Sequence, residues 1–421
     1  MRCCGSFACC VLALVVLVGA CSSHDFRSAT ESGTGGSTGS TNRSDASDSA
    51  SRSPSGPGGR SSDGGGSAGD VDSAIDNGAS GYPESGTKAV AESSVAASYM
   101  LALIDNARIG SDPSQPNYHA ATAPVQLTSG PFASVNLVVD LTSTCYPFSK
   151  WATDRPPAGQ NWPADCDAFD RNFEVALFDP QNVASPGMEL VRAITPFGGP
   201  EHIEQDVTDA FNAIGTAPRT LVITIPTESD SAGIVSGSRG GWNVSARLDL
   251  TPGTPPRNVL SAQSLLYTSI PASQSGMRTL LPFTLPAGTT STTIEYRVTG
   301  HGGAVDATSG CIGPADEFCQ RVHSLTLDEA PIGSITPWRA TCSTGCTQIA
   351  KSALFGRYCV QNPCGDIQSV NAPRANWCPG SEAPPFVYKP ALTPGDHTFA
   401  FAISSIAGFW RVSTTVYAYG K

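Results

Sequence analysis

Residues 166–178 read Cys-Asp-Ala-Phe-Asp-Arg-Asn-Phe-Glu-Val-Ala-Leu-Phe, CDAFDRNFEVALF. The second half, 173–178, is built from apolar and aromatic side chains that fit a pleated surface, and it predicts a β-strand. The first half crowds two carboxylates, a guanidinium and a cysteine at the mouth of that strand. Such a cluster is either a solvated turn or the working edge of a site, and the rest of the chain has to decide which.

Outward from this stretch, strand signals dominate. They fall at 134–141, 220–225, 244–250, 264–270, 278–285, 293–298, 397–403 and 410–419, many alternating apolar with polar, the period of a half-buried strand. Gly, Pro, Asp and Asn clusters punctuate them. No strand–helix–strand rhythm is present, and 94–107 is the one helix candidate. The expected class is all-β, with two antiparallel sandwiches. The boundary falls near 249–256, where Pro252, Pro255 and Pro256 cannot continue a central strand. That gives one domain over 95–252 and a second over 257–421, and clefts between domains favour binding sites.

The chain has 421 residues, and its first part differs in character. It opens MRCCGSFACCVLALVVLVGAC; the apolar run 11–18 is shorter than the ~20 residues of a membrane-spanning helix and fits the core of an export signal over 1–20. Leu17-Val18-Gly19-Ala20-Cys21 resembles a bacterial lipobox, which makes Cys21 the expected lipidation site and, with Ser22 following, the outer membrane the expected destination. From 21 to 94 Ser, Gly, Asp and Asn prevail, a composition that buries too little apolar surface to order itself. This is a disordered tether with a reach of roughly 45 Å. Its glycine runs are not phosphate loops, since neither a strand nor a Gly-Lys-Ser/Thr pattern accompanies them, and no cofactor is expected. The net charge of −11 argues against a nucleic-acid partner. Membrane contact would run only through Cys21, and a monomer is expected.

Nine cysteines follow the leader: Cys145, Cys166, Cys311, Cys319, Cys342, Cys346, Cys359, Cys364 and Cys378. In an exported chain these should mostly be disulfides. Cys342-x3-Cys346 and Cys359-x4-Cys364 are loose zinc spacings, but the C-x2-C of a zinc ribbon is absent, and no metal site is assigned. The six histidines include no His-x-His pair of the kind a copper site on paired jelly rolls would need.

The cluster at 166–171 resembles the Cys-Asp-x-aromatic-Asp-Arg signature of the peptide-N-glycosidase F family. Six further matches follow in the same order: Ile194-Thr195-Pro196-Phe197, Asp206-Val207-Thr208-Asp209, Thr227-Glu228, Gly300-His301, Asp316 to His323, and Ala372 to Gly380 with one residue fewer than the family has. The resemblance spans about 125–421. It implies two jelly-roll sandwiches packed side by side, and an amidase that cuts the bond between an asparagine side chain and the first N-acetylglucosamine of an N-glycan, leaving aspartate. It implies Asp170 as the principal catalytic acid, Glu317 as a second that binds substrate and shapes the charge around Asp170, and Glu228 as a third acting through ordered water. Arg171 and Arg374 would hold carboxylates ionised and fork onto substrate oxygens. Trp377 would offer a face to a sugar and His301 would donate in the same region. The implied bridges are Cys145–Cys166, Cys311–Cys319 and Cys342–Cys378. The chemistry fits these residue types: a base must activate water, a nitrogen must be protonated as it leaves, and acids whose environments separate their pKa values divide such work.

The chain departs from the family in places. Twenty residues separate Cys145 from Cys166, including WATDRPPAGQNWPAD at 151–165, where the family has a short loop. Ser229-Asp230 and Thr299 replace family tryptophans, four extra residues lie between Cys311 and Cys319, and Cys346, Cys359 and Cys364 have no counterpart.

Overall fold

The computed structural model describes residues 97–145, 156–302, 310–313, 315–349 and 357–421. The expected signal, Cys21, the tether and 146–155 of the long interval lie outside them. Two face-to-face sheets make the first sandwich. One runs β1 (Tyr99–Gly110), β8 (Gly241–Pro252), β3 (Phe132–Ser143), β6 (Glu201–Asp206); the other runs β16 (Ser381–Glu382), β5 (Met188–Ile194), β4 (Asn172–Phe178), β7 (Arg219–Thr224), β2 (Ala120–Val125). The second sandwich pairs β17 (Phe386–Tyr388), β11 (Ser291–His301), β19 (Phe409–Tyr419), β9 (Val259–Pro271) with β10 (Thr279–Leu285), β18 (Gly395–Ile403), β12 (His323–Leu327), β13 (Ala330–Ile335). A small ribbon joins β14 (Gln348–Ile349) to β15 (Tyr358–Cys359), and two short helices, α1 (Thr208–Ile214) and α2 (Ile367–Asn371), and three 3₁₀ turns complete the described elements. Both sandwiches belong to one compact unit, Ser93–Lys421.

Alternation explains the two cores. Val135, Leu137, Val139 and Leu141 of β3 point inward against Phe173, Val175 and Leu177 of β4. Ile294, Tyr296 and Val298 of β11 do the same against Leu325, Phe399 and Phe401. Each such fully buried aliphatic contributes about 1.5–3 kcal/mol of transfer free energy, set against the entropy of ordering the chain.

Residues 99–107 of the helix expected at 94–107 are instead part of strand β1, and 94–96 lie outside the described residues. The strand pairs antiparallel with β8 from Tyr99–Leu250 to Gly110–Gly241, with register breaks between Ala102 and Ile104 and between Ile104 and Ala107. Asn106 takes a left-handed φ of 45° in the second break. Each break shifts the face that the following residues present. The apolar spacing therefore drifts from two toward the helical period.

β4 and β5 are buried on both faces because their outer face meets the second sandwich. Arg411 of β19 forks onto Glu174, with Nε at 2.7 Å and Nη2 at 2.5 Å, and the Tyr267 hydroxyl donates to the same carboxylate. Arg192 forks onto Glu189 at 2.8 and 2.7 Å, donates to the Arg411 carbonyl at 2.6 Å, and Ser413 donates to Glu189. Burial works to raise Glu174, yet Arg411 and its neighbours hold it down at about 2. These matched pairs fix how the two sandwiches meet, and the meeting edge carries the site.

Candidate active site

The turn 166–171 divides its two acids between different tasks. Asp167 is completely buried and clasps the Arg171 guanidinium, with Nε 2.9 Å from Oδ2 and Nη2 3.1 Å from Oδ1. The Arg171 amide donates to Thr195 Oγ1 at 2.8 Å, and Thr195 returns its own amide to the Arg171 carbonyl at 2.8 Å. Phe169 packs on Phe197, Cys359 and Val370 with the Arg171 cation over its ring at 5.2 Å. The Cys145–Cys166 disulfide closes the base of the turn. With Asp167 consumed as a brace, Asp170 is the carboxylate left to face outward, its side chain 15% exposed.

Two other segments bear on it, and a third meets Arg171. Arg374 brings Nη2 to 4.0 Å from Asp170 Oδ2. Its side chain is 1% exposed and lies between the rings of Phe318 (4.4 Å) and Trp377 (4.9 Å). Nη2 also donates to the carbonyl (2.9 Å) and hydroxyl (3.2 Å) of Ser369 in α2, whose first turn is capped by the Asp366 carboxylate. Arg374 Nε and Nη1 have no hydrogen-bond partner among the described residues. Unpaired buried donors are uncommon, and they concentrate where a ligand or a strained task accounts for them.

Glu317 sits in a single 3₁₀ turn, Asp316–Phe318, tied by Cys311–Cys319 and by the Ala375 amide donating to the Glu317 carbonyl at 2.8 Å. Asp316 is fully buried, bonds Arg321 at 2.7 Å and accepts from the Ala407 and Gly408 amides at 2.9 Å each. It anchors the turn, while Glu317 feels the charges of Asp170 and Arg374. On the far side Arg171 Nη1 lies 3.6 Å from Glu228, whose side chain is 46% exposed in the loop that follows β7.

Electrostatics separates the acids. Burial raises the Asp170 carboxyl, and the Arg374 and Arg171 cations pull it back. Burial and the charge of Asp170 push Glu317 up to about 7, with Arg374 opposing. Asp170 is therefore the more readily ionised member of a pair that can hold one proton between them near neutrality.

His301 and Trp377 lie under this site. Trp377 is 2% exposed, its Nε1 donates to the Gly300 carbonyl at 2.8 Å, and one face carries Arg374. His301 stacks between Trp377 and Phe409, its Nε2 2.8 Å from Thr299 Oγ1, and burial pushes it down to about 3, so it is neutral. Trp377 carries Arg374 on one face and His301 on the other, and His301 is held between Trp377 and Phe409; the Arg374 cation lies over an electron-rich ring face.

The three implied disulfides are present, and Cys346–Cys359 is a fourth. The cysteines with loose zinc spacings are thus bridged, apart from Cys364, a free thiol packed on the Cys145–Cys166 pair. The Cys342–Cys378 loop leans on the first sandwich through Asn362, which accepts from the Phe197 amide at 2.8 Å, and the Cys364 amide, which donates to the Phe197 carbonyl at 3.0 Å. Asp167, Ser369, Phe318 and His119, which lies near the Thr227 backbone and feels the charges of Arg171 and Glu228, were not legible as site residues in the sequence. Only Asp167 carried a signal, its place four residues before Arg171. Among the described residues, no helix is long and apolar enough to cross a membrane.

Residues 269–416 match the family profile described as peptide-N-glycosidase F, C terminal. Among solved structures the chain is similar to PNGF-II in a C2 crystal form, at TM-score 0.58 and 17% identity, over 77% of this chain but only 65% of that one. It is also similar to a peptide-N(4)-(N-acetyl-β-D-glucosaminyl) asparagine amidase, at TM-score 0.55 and 17% identity, over 77% of this chain and 96% of that one. PNGase F from Flavobacterium meningosepticum, described as a glycosylasparaginase, matches at TM-score 0.55 and 18% identity over the same shares. No curated protein matches the chain. The protein has the peptide-N-glycosidase F fold.

Proposed function

We propose that the chain as a whole is a member of the peptide-N-glycosidase F family and hydrolyses the amide bond between an asparagine side chain and the proximal N-acetylglucosamine of N-glycoproteins or glycopeptides. The observation that supports this reading is that Arg374 lies 4.0 Å from Asp170 and that Asp170 and Arg374 both act electrostatically on Glu317, which comes from the other sandwich. Ionised Asp170 takes a proton from the attacking water. The water oxygen bonds to the side-chain carbonyl carbon, the carbon–nitrogen bond breaks, and the proton passes to the departing glycosylamine nitrogen, leaving aspartate. Glu317, protonated over part of the neutral range, holds substrate and sets the charge around Asp170. Glu228 orders water together with Arg171. His301 and Trp377 act through Arg374.

Incubation with a denatured N-glycoprotein tests this: release of glycan with an Asn-to-Asp mass change is expected, and Asp170→Asn should abolish it with unchanged thermal unfolding. Glycan bound and never released would replace the amidase by a non-catalytic sugar-binding module on the same scaffold. Export as a lipoprotein anchored at Cys21 is part of the proposal, and Cys21→Ser should abolish acyl labelling.

A further inference from the structure

Beside Glu228 the structure holds an aromatic side chain where none is needed for packing. The chain leaves β1 at Gly110 and returns at β2 through a turn in which Asn117 and His119 both take left-handed φ values, 60° and 59°. The Gly110 amide donates to the Asn117 carbonyl (3.3 Å) and the His119 amide to the Gly110 carbonyl (3.0 Å). Residues other than glycine adopt that conformation at a cost, and such positions gather at ligand clamps. Here they turn Tyr118 away from the core that the neighbouring strand residues enter. Tyr118 is 45% exposed, and its ring lies on the His119 imidazole with centroids 3.8 Å apart and planes 24° from parallel.

His119 is itself held firmly. Its carbonyl accepts from the Ile225 amide at 2.9 Å, and its ring lies near the Thr227 backbone, one residue before Glu228. The turn is tied to the same wall from the other side, where Ser111 Oγ donates to the Gly240 carbonyl at 3.1 Å and a Cβ on Gly240 would meet the Glu228 carbonyl at 2.7 Å. Tyr118 thus stands at the rim on the Glu228 side, one ring face supported and the other open. The loop after Glu228 adds exposed Ile234 and Val235, whose amides are pinned by the Asp230 carboxylate at 2.8 Å each.

A rigid aromatic with one free face, a polar tip and hydrogen-bonding acids next to it fits a pyranose ring, whose axial C–H groups form an apolar face edged by hydroxyls. We propose that Tyr118, backed by His119, is a stacking platform for the N-acetylglucosamine residues of the glycan, and so a specificity-determining residue of the cleft. This rests on the glycoamidase reading for its ligand class.

Binding of free N,N′-diacetylchitobiose, measured by calorimetry and by saturation transfer from protein to sugar, tests it without any turnover. Tyr118→Ala should weaken binding roughly tenfold, the effect of losing one aromatic stack, while Tyr118→Trp and Tyr118→Phe keep wild-type affinity. Equal affinity in a folded Tyr118→Ala variant, or no chitobiose binding by the wild type, overturns the platform. Glycan release from a glycopeptide is assayed separately. Chitobiose binding that depends on Tyr118 without release would remove the amidase and keep the platform; release unaffected by Tyr118→Ala in KM would do the reverse.

Discussion

Arg374 is the residue on which the electrostatics of the site turns, and replacing it separates charge from packing. Its Nη2 is 4.0 Å from Asp170 Oδ2. At that separation a unit charge pair is worth about 4 kcal/mol at an effective dielectric constant near 20, about 3 pKa units at 1.36 kcal/mol per unit. Asp170 keeps some solvent contact, so the shift on removing the cation is expected at about 1–3 units, the usual range for one neighbouring charge. The sign is fixed: burial already raises Asp170, Arg374 and Arg171 oppose it, and loss of Arg374 leaves burial less opposed. A catalyst needing ionised Asp170 then loses activity at higher pH than before. The acid limb of the kcat/KM profile on a glycopeptide should move up by about 1–3 units in Arg374→Met. Arg374→Lys keeps the cation but loses the fork to Ser369, so its limb should stay in place with a lower plateau. Both variants give up stacking on Phe318 and Trp377, and assays belong below their unfolding transitions. A folded Arg374→Met whose acid limb does not move would refute the claim that this cation keeps Asp170 ionised.

Asp170→Asn removes the charge that helps raise Glu317, so the Glu317 carboxyl should titrate below its wild-type value of about 7 by carbon-detected NMR, assigned with Glu317→Gln; an unchanged titration would separate the two acids. Glu174→Ala strands Arg411 between the sandwiches and should cost about 3–5 kcal/mol in denaturant unfolding. In the intact protein Glu174 is depressed from 4.5 to about 2, so its contribution is present above about 4.5 and is lost as pH falls toward 2; Glu317, raised instead, opposes stability as pH climbs from 4.5 to about 7. Replacing Cys145 and Cys166 by serine opens a loop of sequence separation 21 and should cost about 3 kcal/mol. Release should fall further than stability explains, since ~1 Å of drift in a catalytic group loses about 100-fold in rate.

The amino-acid order by itself settled a good deal. Period-two alternation named most of the core strands, since a buried face imposes that period whatever the neighbours are. The proline cluster at 252–256 marked the crossing from the first sandwich to the second. The motifs carried the fold. What the linear order could not decide was which charge answers which. Asp167 and Asp170 are the same residue type three positions apart, yet one clasps Arg171 in the interior and the other meets Arg374, two hundred residues away. Trp377 and His301 carry groups suited to a sugar, and only packing shows their faces already occupied. β1 disguised itself because the extra residues at its own register breaks move its apolar spacing off the period of two, and only its pairing with β8 shows where they fall. The pairing of Cys346 with Cys359, and the stranding of Cys364 beside another bridge, follow from where the loop folds. Local pattern reports the face a residue presents. Distances between remote segments are set by how the sheets stack, and electrostatics depends on those distances.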